Sequence, residues 1–178
     1  HYQDALKWLR QGAQQLGENA AAYSNVLFTL VGYELEPARE RYEEACRFGE
    51  KFSKARYERW RDSVLSPNPE RELRIGFISP DFCRHAVSYF IEPLLEQWKQ
   101  TNLNITLYAA GKVRDDYSNR LRDKVNQWRD IQHANDEQVV QQIRQDEIDI
   151  LIDLAGHTAG NRLPIFTHKP APIQATYL

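Results

Sequence analysis

The 178-residue sequence contains no methionine and only two cysteines, Cys46 and Cys83. Their wide separation matches neither a CxxC redox pair nor a zinc-binding spacing. Two thiols in a chain of this length fit a reducing, cytoplasmic setting, with both sulfurs free and buried or half-buried. No apolar run reaches 18 residues, so no segment has the length of a membrane-spanning helix. No secretory leader pattern opens the chain. An excess of positive charge is also missing: Lys+Arg is 23 against 25 for Asp+Glu, a formal net charge of −2. Proteins that bind nucleic acid by neutralising phosphates are usually basic, so that class loses weight. Neither a nucleic-acid nor a membrane partner is expected. There is no His-x-His pair and no acidic cluster supplying three ligands at useful spacing, so no metal is expected. Trp8, Trp60, Trp98 and Trp128 have no basic stripe between them that would make a base-stacking track, and they read as packing residues.

What remains is a composition ordinary for a globular domain, 42% hydrophobic and 27% charged. A chain of this size hides about 70% of its unfolded surface, enough for a core without staples. It begins with His1 rather than Met and stops on the strand-like Thr176-Tyr177-Leu178, which reads as a piece cut from a longer protein.

Two patterns divide the chain. Residues 1–66 read as helical. Ala5, Leu6, Trp8, Leu9, Ala13 and Leu16 recur at mixed spacings of three and four, the period of one buried helix face. Gly17 is a stop signal and Asn19 a cap for a second helix carrying Tyr23, Val26, Leu27 and Leu30. Glu36-Pro37 opens a third helix, predicted from Ala38 to Trp60 with the proline in its first turn. Eight acids and eight bases alternate between Glu34 and Asp62, the signature of a solvated helix surface. Ser66-Pro67-Asn68-Pro69 then breaks the helical regime as a linker.

Over 72–178 strand-like and helix-like segments alternate. Leu73 to Ile78, Ile105 to Ala109, Gln127 to Ile131, Ile148 to Leu154 and Ile173 to Tyr177 read as strands. Helices fall between them, over Val87 to Trp98, Ser118 to Asn126, Asp136 to Gln145 and Leu163 to Phe166. Pro93 either kinks the first of these or makes it start near Ser88. The alternation predicts an α/β fold, a Rossmann-like, mostly parallel, doubly wound sheet preceded by an α-helical segment.

Ligands of such sheets bind beyond the carboxyl ends of the strands. Two loops there carry polar residues or glycine. The first, Ser79 to His85, places His85 at the start of a helix. The positive end of the helix dipole disfavours imidazolium, so a neutral ring can serve as a base. Asp81 can cap that helix or orient the histidine; an ordinary turn with a surface histidine is the plainer alternative. The second loop, Ala155 to Arg162, brackets His157 and Thr158 with Gly156 and Gly160, which lets backbone approach a ligand. It is neither GxGxxG nor a P-loop, and taken alone it is better accounted for by a plain strand-to-helix connection than by a polar-ligand loop. Two histidines at two strand ends suggest a cleft more than either does alone. His133 and His168 read as surface residues.

Three blocks, taken together, resemble one family. They are Arg74-Ile-Gly-Phe-Ile-Ser-Pro-Asp-Phe with Arg84-His85 and Phe90-Ile-Glu-Pro-Leu-Leu-Glu; Ile148-Asp-Ile-Leu-Ile-Asp-Leu-Ala-Gly-His-Thr-Ala-Gly-Asn-Arg; and Lys169-Pro-Ala-Pro-Ile-Gln. In this order they resemble the catalytic region of O-linked N-acetylglucosamine transferases of the SPINDLY-like family. Tyr23 to Leu30 resembles the helix joining that family's tetratricopeptide repeats to its catalytic part. The likeness runs from about residue 20 to the end.

The resemblance implies the end of a repeat array followed by the first half of a GT-B catalytic region. It implies a catalytic role for His85, as base or as sugar contact. It implies that Asp81, His157, Thr158, Gly160, Asn161 and Arg162 line an acceptor and sugar cleft. Family members from eukaryotes carry tyrosine at the position of His157 and lysine at that of Ala159. The implied reaction is inverting transfer of a sugar from a nucleotide donor to Ser or Thr of a protein or peptide acceptor. The donor, UDP-N-acetylglucosamine as first expectation (plant SPINDLY-type relatives use fucose), would be held mainly by a second catalytic half outside this chain. No further cofactor is implied, and the piece alone would be inactive. Two rival readings remain: a non-catalytic module binding a peptide or partner, and a GT-B enzyme acting on a small acceptor.

Overall fold

A computed structural model describes residues 1–33, 36–53, 68, 70–98 and 100–177. Three helices come first: α1 (Tyr2–Gln15), α2 (Ala20–Tyr33) and α3 (Ala38–Phe52). Their starts and stops follow local chemistry. Gly17, at φ +58°, ends the α1 turn in the left-handed region that glycine enters without strain. Asn19 caps α2 by accepting the Ala22 N–H on Oδ1 at 3.1 Å. Pro37 sits at the N-cap of α3 rather than in its first turn. The predicted continuation of that helix to Trp60, and all of the predicted linker except Asn68, lie outside the described residues. Leu6, Ala13, Val26, Leu27, Leu30, Phe48 and Phe52 form the buried centre of this helical part. Trp8 does not pack there as expected. It is exposed, on the face of α1 opposite Leu6 and Ala13.

The second part alternates strand and helix as the sequence pattern predicts. It comprises β1 (Leu73–Ser79), α4 (Ala86–Trp98), β2 (Leu103–Ala109), α5 (Asp116–Arg122), β3 (Gln127–Asp130), α6 (Asp136–Gln145), β4 (Ile150–Asp153), α7 (Leu163–Thr167) and β5 (Ile173–Thr176). Among the described residues the strands form one parallel sheet in the order β3-β2-β1-β4-β5. Period-2 alternation sends Ile75, Phe77, Ile105 and Leu107 to one face, under Val87, Ile91 and Leu95 of α4 and Leu121 of α5. Ile78, Tyr108 and Leu151 point to the other, under Val139, Val140 and Ile143 of α6 and Ile165 of α7.

α5 begins two residues earlier than the sequence suggests. Asp115 caps it by accepting the Ser118 N–H, and the Ser118 hydroxyl accepts from the Asp115 N–H in return. α4 passes through Pro93 without ending. The backbone bond that proline cannot make would have gone to the carbonyl of Tyr89. Both residues are exposed, so water can take that carbonyl. Among the described residues no helix is long and apolar enough to cross a membrane.

Candidate active site

The strand order creates a switch point. From β1 the chain winds outward through β2 to β3, then returns to lay β4 against the other side of β1. Connections leaving β1 and β4 therefore diverge, and a crevice opens between their carboxyl ends. The two loops singled out in the sequence, 80–85 and 155–162, leave these two strands.

Glycines let the loops meet. A Cβ on Gly160 would come within 3.2 Å of the Pro80 ring, and one on Gly111, just past β2, would lie 1.8 Å from the Pro80 carbonyl oxygen. Pro80 is thus clasped from both neighbouring strands.

The 80–85 loop is tied down by hydrogen bonds. The Asp81 N–H donates to Ser79 Oγ, and the Ser88 hydroxyl donates to the Asp81 carbonyl. The Arg84 N–H donates to Asp115 and the Ser118 hydroxyl to the Phe82 carbonyl, at 2.8 and 2.7 Å. His85, not Asp81, caps α4: the Val87 N–H donates to His85 Nδ1 at 3.3 Å. Asp81 instead faces the ring, its Oδ2 lying 3.9 Å from the same Nδ1. Burial raises the Asp81 carboxyl above its ordinary range, a rise that a protonated His85 would oppose. With Nδ1 occupied by a backbone donor, the neutral His85 ring carries its proton on Nε2. The ring is about half exposed, at 49%.

The 155–162 loop is shaped by Gly156 at φ +52° and Gly160 at φ +79°. Asp153, at the end of β4, accepts the Gly156 N–H at 2.7 Å and the Thr176 hydroxyl at 3.3 Å. The Thr158 hydroxyl folds back to the Ala155 carbonyl, and Asn161 bridges Thr158 and Leu163.

All six of the expected cleft residues thus occupy the two loops, as does His85, yet their side chains go different ways. Asp81 faces His85. Thr158 and Gly160 are exposed, Gly160 against the Pro80 ring, and Asn161 is half-buried next to them. Arg162 is committed elsewhere, donating to Asp136 and to the carbonyls of Ile131 and Ala134 in the connection from β3 to α6. His157 leaves the crevice and enters the helical part. Its Nδ1 lies 3.0 Å from the Ser24 hydroxyl on α2, and Phe48 of α3 meets the ring edge-on at 4.9 Å. Desolvation there lowers the His157 pKa.

The sequence reading passed over Asp153. Its side chain is buried, and Oδ1 has no hydrogen-bond partner among the described residues. Burial raises its pKa despite the backbone donors of Gly156 and Ala155. An acid inside Ile150-Leu-Ile-Asp-Leu154, otherwise an unbroken apolar run, was the available signal. The contacts of His157 with α2 and α3 join residues more than 100 positions apart and leave no local mark. A groove of about 620 Å³ does lie between the helical part and α6–α7, but Glu18, Asp136 and Glu137 line it. Acidic walls do not suit a diphosphate, and it is not among the switch-point loops.

Comparison with known proteins points one way. The model for glycosyl transferase family 41 matches residues 43–178. The chain is 40% identical over 141 residues to the SPINDLY protein of Petunia hybrida, named as a probable UDP-N-acetylglucosamine–peptide N-acetylglucosaminyltransferase, a match covering 77% of this chain and 15% of that protein. It is 32% identical over 111 residues to the UDP-N-acetylglucosamine–peptide N-acetylglucosaminyltransferase of Caenorhabditis elegans, covering 61% of this chain and 10% of that one. A solved structure of a mutant O-GlcNAc transferase from Thermobaculum terrenum superimposes with TM-score 0.87 at 28% identity, covering 99% of this chain and 34% of that chain. The match therefore spans about a seventh of the length of the plant relative and a third of the solved enzyme.

Proposed function

Because the chain belongs to glycosyl transferase family 41, we propose that it forms one wall of the catalytic cleft of an O-GlcNAc-transferase-type enzyme, together with the helical segment ahead of that wall. The full-length protein then moves N-acetylglucosamine from UDP-N-acetylglucosamine to a serine or threonine hydroxyl of a protein. The observation that carries this reading is the meeting of the two family-like loops at the switch point of a parallel sheet, where such sheets bind ligands.

In the proposed reaction the acceptor oxygen attacks the anomeric carbon from the face opposite the nucleotide. The bond to the diphosphate oxygen breaks with its electron pair leaving on the diphosphate, and the anomeric configuration inverts. The acceptor hydroxyl's proton passes to the departing diphosphate oxygen, directly or through water, and balances the charge that bond cleavage leaves there. His85 lies half-exposed on the loop leaving β1, at the edge of this crevice, and its hydrogen bonding supports one role over the other. A ring whose Nδ1 accepts the Val87 N–H offers Nε2–H, a donor, toward the crevice. We assign His85 a hydrogen bond to the sugar or the departing oxygen rather than removal of the proton. Asp81 holds the ring from behind, and Thr158, Gly160 and Asn161 form the facing lip.

The test is sugar transfer to a protein acceptor by full-length enzyme carrying His85→Ala or His85→Gln. A donor role predicts about a tenfold loss in kcat/KM for alanine, most of it restored by glutamine, whose amide also donates. A general base predicts a loss of about 10²–10⁴ in both variants. Unchanged turnover in both removes His85 from the reaction.

A further inference from the structure

The 155–162 loop is fastened at both ends within the sheet part. Asp153 holds its start through the Gly156 N–H. Arg162 holds its end through Asp136, Ile131 and Ala134. Among the described residues its apex has no comparable anchor from the sheet: Thr158 bonds only within the loop, to the Ala155 carbonyl and with Asn161, and Gly156 and Gly160 give the backbone freedom on either side. The apex is tied instead to the helical part. His157 bonds Ser24 of α2, Phe48 of α3 abuts the ring, and Leu163, just beyond the loop, packs on the same apolar cluster. Ser24 is itself buried, so its hydroxyl has little water to turn to in place of the imidazole.

We propose that Ser24, outside the sheet altogether, is a positioning residue for the cleft: through its hydrogen bond to His157 it sets the height of the 155–161 apex over the switch point. The helical segment is then a working part of the active site, and His157 acts from behind the loop. This rests on the functional reading above, because the apex matters to turnover only if the crevice is where the acceptor lies.

The experiment uses full-length enzyme carrying Ser24→Ala, His157→Phe, and both. Alanine removes one oxygen and phenylalanine keeps the edge-on ring contact, so both variants should fold; thermal midpoints verify this. Loss of one neutral hydrogen bond predicts kcat/KM for a protein acceptor about three- to tenfold lower, mostly through acceptor KM, for each single variant. The double variant should be no worse than either single one, since the two residues make one bond. Hydrogen–deuterium exchange of residues 155–161 should speed up equally in all three. Losses that multiply in the double variant overturn the proposal, as does Ser24→Ala activity within twofold of the parent with unchanged exchange. If the parent enzyme transfers no sugar from UDP-N-acetylglucosamine, the functional reading has failed separately. Exchange in the apex then decides whether Ser24 positions the loop: faster in Ser24→Ala upholds it, unchanged refutes it.

Discussion

At the scale of single residues, His157 and Gly76 show how environment converts side-chain chemistry into stability. Desolvation against Ser24 and Phe48 lowers the His157 pKa below its ordinary 6.5. The unfolded chain therefore takes up a proton at a pH where the folded chain does not. Stability from this site is intact above 6.5, falls as pH drops below it, and levels off beneath the folded value. Thermal midpoints measured from about pH 7.5 to about pH 5.5 should fall more steeply for the parent than for His157→Phe, which has no proton to bind; parallel curves would mean the ring is not desolvated as described. Gly76 makes a different point. A Cβ there would sit 2.9 Å from the Tyr108 ring and 3.1 Å from Leu151, because Tyr108 lies across β1 to reach Asp146 with its hydroxyl at 2.8 Å. Gly76→Ala should cost about 1–3 kcal/mol by overpacking, read from urea denaturation. A glycine within an apolar strand was visible in the sequence, but the ring it makes room for belongs to the neighbouring strand.

At the scale of elements, β4 is bracketed by two aspartates with opposite behaviour. Asp149, just before the strand, is also buried, which pushes its pKa up. Paired bonds from Arg71 at 2.6 and 2.8 Å, and the Arg74 N–H at 2.9 Å, outweigh this and leave it below the ordinary 3.8. Its contribution is present above 3.8 and is lost as pH falls through the folded value. Asp153, at the other end, is raised by burial, so its ionised form is a liability at neutral pH that vanishes on acidification. Asp149→Asn should therefore destabilise at pH 7 by about 1–3 kcal/mol, leaving Arg71 poorly matched. Asp153→Asn keeps an acceptor for Gly156 and should be neutral or stabilising under the same conditions. Equal losses at both sites in chemical denaturation would contradict this contrast. The elements themselves were largely legible. Period-2 and period-3.6 patterns located the strands and helices, and the run from Asp136 to Gln145 matches α6 end to end. Edges blurred where caps decide them: the capping box at Asp115 starts α5 early, and β4 stops at Asp153 where the carboxylate turns to the loop. Pro93 could not be resolved from sequence, because its effect depends on whether the carbonyl of Tyr89 meets water or core.

At the scale of the whole molecule, the site is an arrangement of loops that no single segment encodes. Which strands become neighbours decides that 80–85 and 155–162 face each other, and that order follows from a crossover the sequence does not spell out. The family-like blocks nevertheless marked both loops, because the first two blocks each run from a strand into the loop that leaves it. Neither loop has the Gly-Lys-Ser/Thr of a P-loop or a GxGxxG turn, and Arg162 is already engaged with the β3–α6 connection. The chain corresponds to 34% of the length of the solved relative, so most of such an enzyme lies outside it. Ligand binding stabilises a folded protein by RT ln(1 + [L]/Kd), about 2.7 kcal/mol at a hundredfold excess over Kd, and therefore raises its melting midpoint. The 178-residue chain alone should show no such rise with UDP-N-acetylglucosamine and no sugar transfer, whereas the full-length enzyme should show both. A clear rise for the short chain would place the donor grip on this wall of the cleft, and the search for its phosphate contacts would move to the loops after β1 and β2, where Arg84 and Lys112 are exposed.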